Sequence, residues 1–171
     1  MVFAQLFAPK WALILVPLAA VTALALAFIG QYGFDLYPCV LCIYQRWPFV
    51  IVAGLCLLAA NPAMRTGKAA RWILLLCAGV LAVNAAIAVY HVGVEQHWWE
   101  GLSTCGSGGL DDPNMSIAEL KAKLFATPLV RCDDVAWSLF GISMAGYNLI
   151  ISVFLAAASA WAAQGFWRKA A

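Results

Sequence analysis

Four stretches of this chain carry no charged residue: 11 to 34 (24 residues), 47 to 64 (18), 72 to 94 (23) and 135 to 167 (33). A helix rises about 1.5 Å per residue, so roughly 20 residues cross the ~30 Å of a bilayer's hydrocarbon. Each stretch therefore predicts a transmembrane helix. The shorter charge-free intervals, 36 to 45 and 101 to 110, hold about ten residues with Pro or several Gly and read as loops. The composition agrees: 65% of the residues are hydrophobic and 11% charged, against about 25% charged in soluble domains. That excludes disorder, which needs low hydrophobicity and high charge. It also excludes a soluble fold, which would expose large apolar patches. No repeat or linker divides the chain. The expectation is an all-α integral membrane protein, a single four-helix transmembrane bundle with helices at about 11–31, 43–61, 72–91 and 140–163. Two outer loops, about 32–42 and 92–138, and one inner loop, about 62–71, join them.

Lys and Arg in short loops mark the cytoplasmic side. Lys10, Arg65, Lys68, Arg71, Arg168 and Lys169 gather at one end of the expected bundle. All eight acids (Asp35, Glu95, Glu100, Asp111, Asp112, Glu119, Asp133, Asp134) fall at the other, with Arg46, Lys121, Lys123 and Arg131. Both termini are then expected inside and the longer loops outside. The net charge of +2 hides this separation and implies no nucleic-acid partner. Ala23-Leu24-Ala25 imitates a signal cleavage site, but the first apolar run exceeds the usual ~7–15 residue core of a secretory signal. It reads as a retained helix.

In the second outer loop, Ser116 followed by Glu119 is a capping box. Ile117, Leu120, Leu124 and Phe125 then make an apolar face opposite Lys121 and Lys123, up to Pro128. The pattern predicts a short amphipathic helix lying on the membrane surface.

Six cysteines sort by depth. Cys56 and Cys77 lie inside apolar runs, where a thiol is a small hydrophobe. Cys39, Cys42, Cys105 and Cys132 all fall on the outer side, where disulfides form. Cys39 and Cys42 form a Cys-x-x-Cys unit beside the start of a helix, and Cys105 and Cys132 stand 27 positions apart in the long loop. A thiolate in a Cys-x-x-Cys unit at a helix amino end has a lowered pKa, and a guanidinium one turn further on stabilises it. Arg46, four residues after Cys42, is at that spacing; its alternative reading is an interfacial anchor whose stem lies along lipid. Zinc binding by the four cysteines is disfavoured by the long second spacing. A dithiol at the bilayer edge is hard for a soluble protein to reach, whereas a pair on a Gly-rich loop is accessible. The residues alone point to a membrane thiol oxidoreductase with two communicating cysteine pairs.

Pro38-Cys39-Val40-Leu41-Cys42-Ile43-Tyr44-Gln45-Arg46, the Cys105 and Cys132 spacing and the four expected helices resemble the DsbB family of bacterial disulfide bond formation proteins. The resemblance spans nearly the whole chain and implies residence in the inner membrane. It implies that a reduced periplasmic DsbA-type thioredoxin-fold protein attacks Cys105 of a Cys105–Cys132 disulfide, and that Cys132 then exchanges with Cys39. Cys42, a thiolate beside Arg46, would pass electrons to ubiquinone, or to menaquinone without oxygen. His91, ending the third helix at the outer face, is the implied donor to a quinone oxygen, with Glu95 and Gln96 as neighbouring alternatives. His97, Trp98 and Trp99 read as an interface belt, and Asn84 as an interhelical hydrogen bond. Gly141, Ala145 and Gly146 suggest close packing of the fourth helix. Two rivals are a quinone reductase resembling the vitamin K epoxide reductase family, whose Cys-x-x-Cys lies late in the chain, and a non-enzymatic membrane subunit braced by two disulfides.

Overall fold

The computed structural model describes residues 9–59, 61–64, 67–102, 105, 116–119, 121 and 130–168. Four helices dominate it: α1 (Pro9–Gly33), α2 (Val40–Leu58), α3 (Gly67–Glu95) and α4 (Met144–Arg168). A 3₁₀ turn at Pro62–Met64 lies between α2 and α3, and a small antiparallel hairpin of β1 (Ser138–Leu139) and β2 (Ile142–Ser143) precedes α4. Each of the four helices is long and apolar enough to cross a membrane, with mean hydropathy from 1.5 to 2.7.

The outward faces explain why a membrane is needed. Leu18, Leu26, Leu57, Val83, Ile150 and Trp161 are all more than half exposed. A helix that is apolar on its outer as well as its inner face requires an apolar solvent. The interior is a continuous cluster that includes Val16, Ala20, Val52, Cys56, Leu74, Cys77, Leu81 and Leu155. The most extensive helix contact is between α3 and α4. Small buried residues on these two helices, among them Ala88, Ala145, Ser152 and Ala162, let the backbones approach closely. Asn84 joins the two helices by donating to Asn148 Oδ1 at 3.1 Å and Ser152 Oγ at 2.8 Å.

The element ends differ from the sequence expectations for local reasons. Helix α2 begins at Val40 rather than 43 because Cys39 is its N-cap, in extended conformation, with its sulfur accepting from the Cys42 N–H at 3.3 Å. Helix α3 runs past its charge-free stretch at both ends, from Gly67 to Glu95, since Lys68, Arg71 and Glu95 mark the edge of the apolar zone and not the end of the helix. Helix α4 begins at Met144 rather than 140. Phe140 and Gly141 both have positive φ (52° and 77°) and form the two-residue hairpin turn. Gly141 thus serves a turn and not helix packing. Ser143 caps α4, accepting from the Gly146 N–H at 3.1 Å.

In the second outer loop the capping box is formed: Ser116 Oγ accepts from the Glu119 N–H at 3.3 Å, and Glu119 Oε2 accepts from the Ser116 N–H at 3.1 Å. Residues 117–119 and 121 are helical, and Ile117 is exposed. The rest of the expected apolar face, Leu120, Leu124 and Phe125, lies outside the described residues, as do Lys123 and Pro128.

Candidate functional site: two cysteine pairs at one end of the bundle

With four helices in sequence, residues 34–39 and the segment after Glu95 emerge at the same end of the bundle. The two cysteine pairs meet there. Cys105 and Cys132 form a disulfide with Cα atoms 5.4 Å apart. Cys39 and Cys42 are free thiols with sulfurs 3.1 Å apart. Cys39, Leu41, Val94 and Cys132 form one buried cluster, with Cys42, Tyr90, Cys105 and Val130 packed against it. Within each pair one cysteine is less deeply buried than its partner: Cys105 and Cys42 are half-buried, while Cys132 and Cys39 are buried.

The loop is brought over the helix ends by a specific fold-back after α3. His97 adopts a positive φ of 59°, which turns the chain. Trp99 then lies flat against Tyr90, ring centroids 6.0 Å apart, and its Nε1 donates to the Tyr90 carbonyl at 2.9 Å. The Tyr90 hydroxyl donates to the Glu100 carbonyl at 3.0 Å. Gly93 makes this possible, for a Cβ there would meet the Trp99 ring at 1.9 Å. The chain continues through Gly101, which packs close to Val94 and Cys105. An open cleft of about 420 Å³ leads to Cys105, lined in part by His97, Trp98, Trp99, Glu100 and Asp133.

The electrostatic surroundings of the pairs differ. Cys39 is held below the ordinary thiol range, chiefly by its hydrogen bond with the Cys42 thiol, with His91 and the Cys42 N–H adding to the effect and burial opposing it. Cys132 is followed by Asp133 and Asp134, which disfavour a thiolate. Arg131 offsets them, bonding Asp133 through Nε at 2.9 Å and lying 3.9 Å from Asp134. The hydrogen bond from Arg131 holds the Asp133 carboxyl at about 2.

His91 and Arg46 take different places. His91 is buried, with Nε2 3.5 Å from Cys39 Sγ and 4.0 Å from Glu95 Oε1, and Nδ1 2.9 Å from Gln45 Nε2. Arg46 is turned toward α1: its guanidinium donates to Gln31 Oε1 at 2.6 Å and stands 4.9 Å from the Phe28 ring centroid. The imidazole of His91, rather than the guanidinium of Arg46, is thus the basic group at hydrogen-bond distance from a sulfur of the inner pair. Gln45, Asn148, Ser143 and Gln31 are the polar partners that sequence reasoning passed over. Their signal was a polar side chain in or beside an otherwise apolar run, the same signal that picked out Asn84.

Comparison with known proteins agrees with this chemistry. The family model for disulfide bond formation protein DsbB matches residues 9–162. A disulfide bond formation protein B of Methylobacillus flagellatus is 32% identical over 155 residues, covering 88% of this chain and 90% of that protein. One from Xanthomonas campestris pv. campestris is 32% identical over 146 residues, 81% of each chain. An uncharacterized protein of Rickettsia prowazekii is 27% identical over 136 residues, 80% of this chain and 77% of that one. No solved structure matches. With a family model spanning most of the chain and relatives of this kind, the chain belongs to the DsbB family of disulfide bond formation proteins, multi-pass membrane oxidoreductases.

Proposed function

We propose that this protein reoxidises a periplasmic DsbA-type thioredoxin-fold protein and passes the two electrons through its cysteine pairs to a membrane quinone. The observation that carries the reading is the packing of the Cys105–Cys132 disulfide and the Cys39–Cys42 dithiol in one buried cluster. Two pairs in contact can exchange by in-line attack, which two structural braces in separate loops need not do. In this reading the cysteine end of the bundle faces the periplasm, both termini are cytoplasmic, and the whole chain works as a single membrane domain with its inner loop in the cytoplasm.

Cys105, the more exposed sulfur of its pair and the one beside the cleft, takes the incoming thiolate. The Cys105–Cys132 bond breaks, a mixed disulfide forms, and Cys132 leaves as a thiolate whose charge Arg131 helps to balance. The second thiol of the partner resolves the mixed disulfide, which releases oxidised partner and leaves Cys105 and Cys132 reduced. Cys132 then attacks Cys39 of an oxidised Cys39–Cys42 pair. Cys105 closes the outer disulfide again, leaving the inner pair as the dithiol seen here.

The donor set at the inner pair fits a quinone, whose two carbonyl oxygens accept hydrogen bonds: Arg46 at the rim and His91 beside Cys39 both carry N–H groups, and Cys42 is half-buried. Arg46 would hold it, as ubiquinone or menaquinone, with the His91 N–H shared between a quinone oxygen and the Cys39 sulfur. A quinone held there would supply the two-electron, two-proton acceptor that oxidises the Cys39–Cys42 dithiol to a disulfide. The deep site of Cys39 keeps soluble thiol proteins from short-circuiting the exchange.

Steady-state quinone reduction by purified protein with reduced DsbA tests the scheme. Cys42→Ser should abolish quinone reduction, and Cys105→Ser should block exchange with DsbA while leaving the inner pair reducible by small thiols. Quinone reduction that survives Cys42→Ser would exclude the relay. Redox titration adds a second criterion, since structural bridges have potentials below about −300 mV and a working relay must lie above that.

A further inference from the structure

A file of buried polar side chains runs from the inner cysteine pair into the apolar core. Asn84 of α3 donates to Asn148 Oδ1 and Ser152 Oγ of α4. Ser152 Oγ also donates to Asn148 Oδ1, at 3.1 Å. Asn148 Nδ2 donates to Gln45 Oε1 of α2, and Gln45 Nε2 faces His91 Nδ1 of α3 at 2.9 Å. Asn84, Gln45, His91 and Ser152 are all at least 96% buried. Sequence spacing builds the file: 84, 88, 91 and 95 share one face of α3, and 148 and 152 one face of α4.

An amide has one donating and one accepting end, so the file has a direction. Asn148 Oδ1 takes two donors, which leaves its Nδ2 for Gln45. Gln45 Oε1 is thereby occupied, and its Nε2 is the end presented to His91. A donor facing Nδ1 requires a lone pair on Nδ1, and the ring hydrogen then sits on Nε2. That nitrogen is 3.5 Å from Cys39 Sγ and 4.0 Å from Glu95 Oε1, two groups that accept. Glu95 is itself fixed from the other side by the Ser143 hydroxyl, which donates to Oε2. The Glu95 carboxylate, which can only accept, selects this tautomer, whereas at the deep end Asn84 Oδ1 has no hydrogen-bond partner among the described residues. Turning every amide over would put the hydrogen on Nδ1 and aim the Nε2 lone pair at the Glu95 carboxylate.

We propose that Asn148 and Gln45 are positioning residues that fix His91 as the Nε2–H tautomer and aim its hydrogen at the sulfur of Cys39. The same polarity leaves Nε2 without a lone pair. Although the ligand atoms of Cys39, Cys42 and His91 lie within 4.8 Å of one another, the imidazole is set to donate to sulfur rather than to ligate a cation. The inference rests on the relay reading for its purpose and on geometry alone for its content. In the relay, a donor on Cys39 stabilises it as the leaving thiolate when Cys105 attacks Cys132 of the Cys39–Cys132 mixed disulfide and closes the outer bond, and as the attacking thiolate in the reverse exchange.

Nitrogen-15 NMR of the reduced full-length protein, with labelled histidine, reads the tautomer directly. The chain has only two histidines, and a His97→Asn variant assigns the signals. Wild type should show His91 with a protonated Nε2 and an unprotonated Nδ1. Gln45→Met, close in shape but unable to donate, should mix the tautomers and raise the pH midpoint of Cys39 alkylation by about one unit, the worth of a hydrogen bond to a charged sulfur. The groups that face this sulfur and ring, Cys42 of α2 and Glu95 of α3, are unchanged in that variant. Asn148→Val should do the same in weaker form, and Asn148→Ser, which keeps a donor, should restore part of the wild-type spectrum. A wild-type Nδ1–H tautomer overturns the proposal, as does a Gln45→Met protein with unchanged tautomer and alkylation midpoint. Because neither readout uses quinone or DsbA, these outcomes are separate from a failure of the relay itself.

Discussion

At the scale of single residues, the inner and outer sulfurs have different neighbours. Cys39 is held below the ordinary thiol value by the Cys42 thiol first and by His91 and the Cys42 N–H after it. An ordinary thiol, with a pKa near 8.5, loses its thiolate as pH falls from 9 to 7. Cys39 should keep its alkylation rate over that range, with Cys42, His91 and Glu95 as the ionisable neighbours. A rate midpoint at the ordinary value in reduced protein would contradict this. Beside Cys132, Arg131 is bonded to Asp133 and lies near Asp134, offsetting the two acids that would oppose a leaving thiolate in the proposed exchange. Arg131→Ala should slow the attack of reduced DsbA by about two- to fivefold, the small effect of an exposed charge, and the difference should shrink as salt is raised. Arg46 engages Gln31 and the Phe28 ring on α1. Arg46→Ala should raise the apparent quinone requirement by about tenfold, the loss of a charge-assisted hydrogen bond. Unchanged quinone kinetics would leave Arg46 as an interfacial anchor that ties α2 to α1.

At the scale of elements, the decisive feature is the return of the chain after α3. A helix end, a left-handed residue at His97 and an indole laid across Gly93 bring residues 99–102 back over the bundle and set Cys105 beside it. Gly93→Ala places a methyl group where the Trp99 ring lies. The ring must leave, costing about 1–3 kcal/mol as overpacking does. Transfer from the outer to the inner pair, followed by stopped flow, should slow by at least about tenfold, with the helical circular dichroism retained. Normal transfer in Gly93→Ala would mean that the disulfide holds its place without this fold-back. The hairpin before α4 is the second such device, since its turn places Ser143 to cap α4 and to hold Glu95 of α3 at once.

At the scale of the whole molecule, two kinds of contact hold the bundle. Apolar packing of small residues joins α3 to α4, and the polar bonds of Asn84 add direction to it. Such bonds contribute only about 0.6 kcal/mol on average in a membrane and at most about 1.7. Asn84→Leu should therefore lower unfolding stability in mixed micelles by no more than that range. A loss several-fold larger would assign the file a main part in folding rather than in orienting His91. The molecule thus separates its parts by depth, with packing in the apolar core and, in the proposed function, exchange chemistry at one end.

The sequence by itself determined the solvent and the inventory. Charge-free stretches of membrane length can only be helices in lipid, because every backbone polar group must be satisfied within the segment. The sorting of charges placed all four reactive cysteines at one end of the chain's expected topology, and the Cys-x-x-Cys motif with its neighbours carried the family. The capping box at Ser116 and the interhelical role of Asn84 were legible because each depends on a local pattern or on a polar group in an apolar run. The tertiary structure alone decided what touches what. Nothing local in the residues around Arg46 says that it turns to Gln31, or that His91 reaches Cys39 52 positions away. Nor does spacing reveal that Gln45 and Asn148 orient the imidazole, for that needs three helices at fixed distances. Periodicity records which side of a helix is apolar, whereas the direction of a hydrogen bond between helices exists only once they are packed.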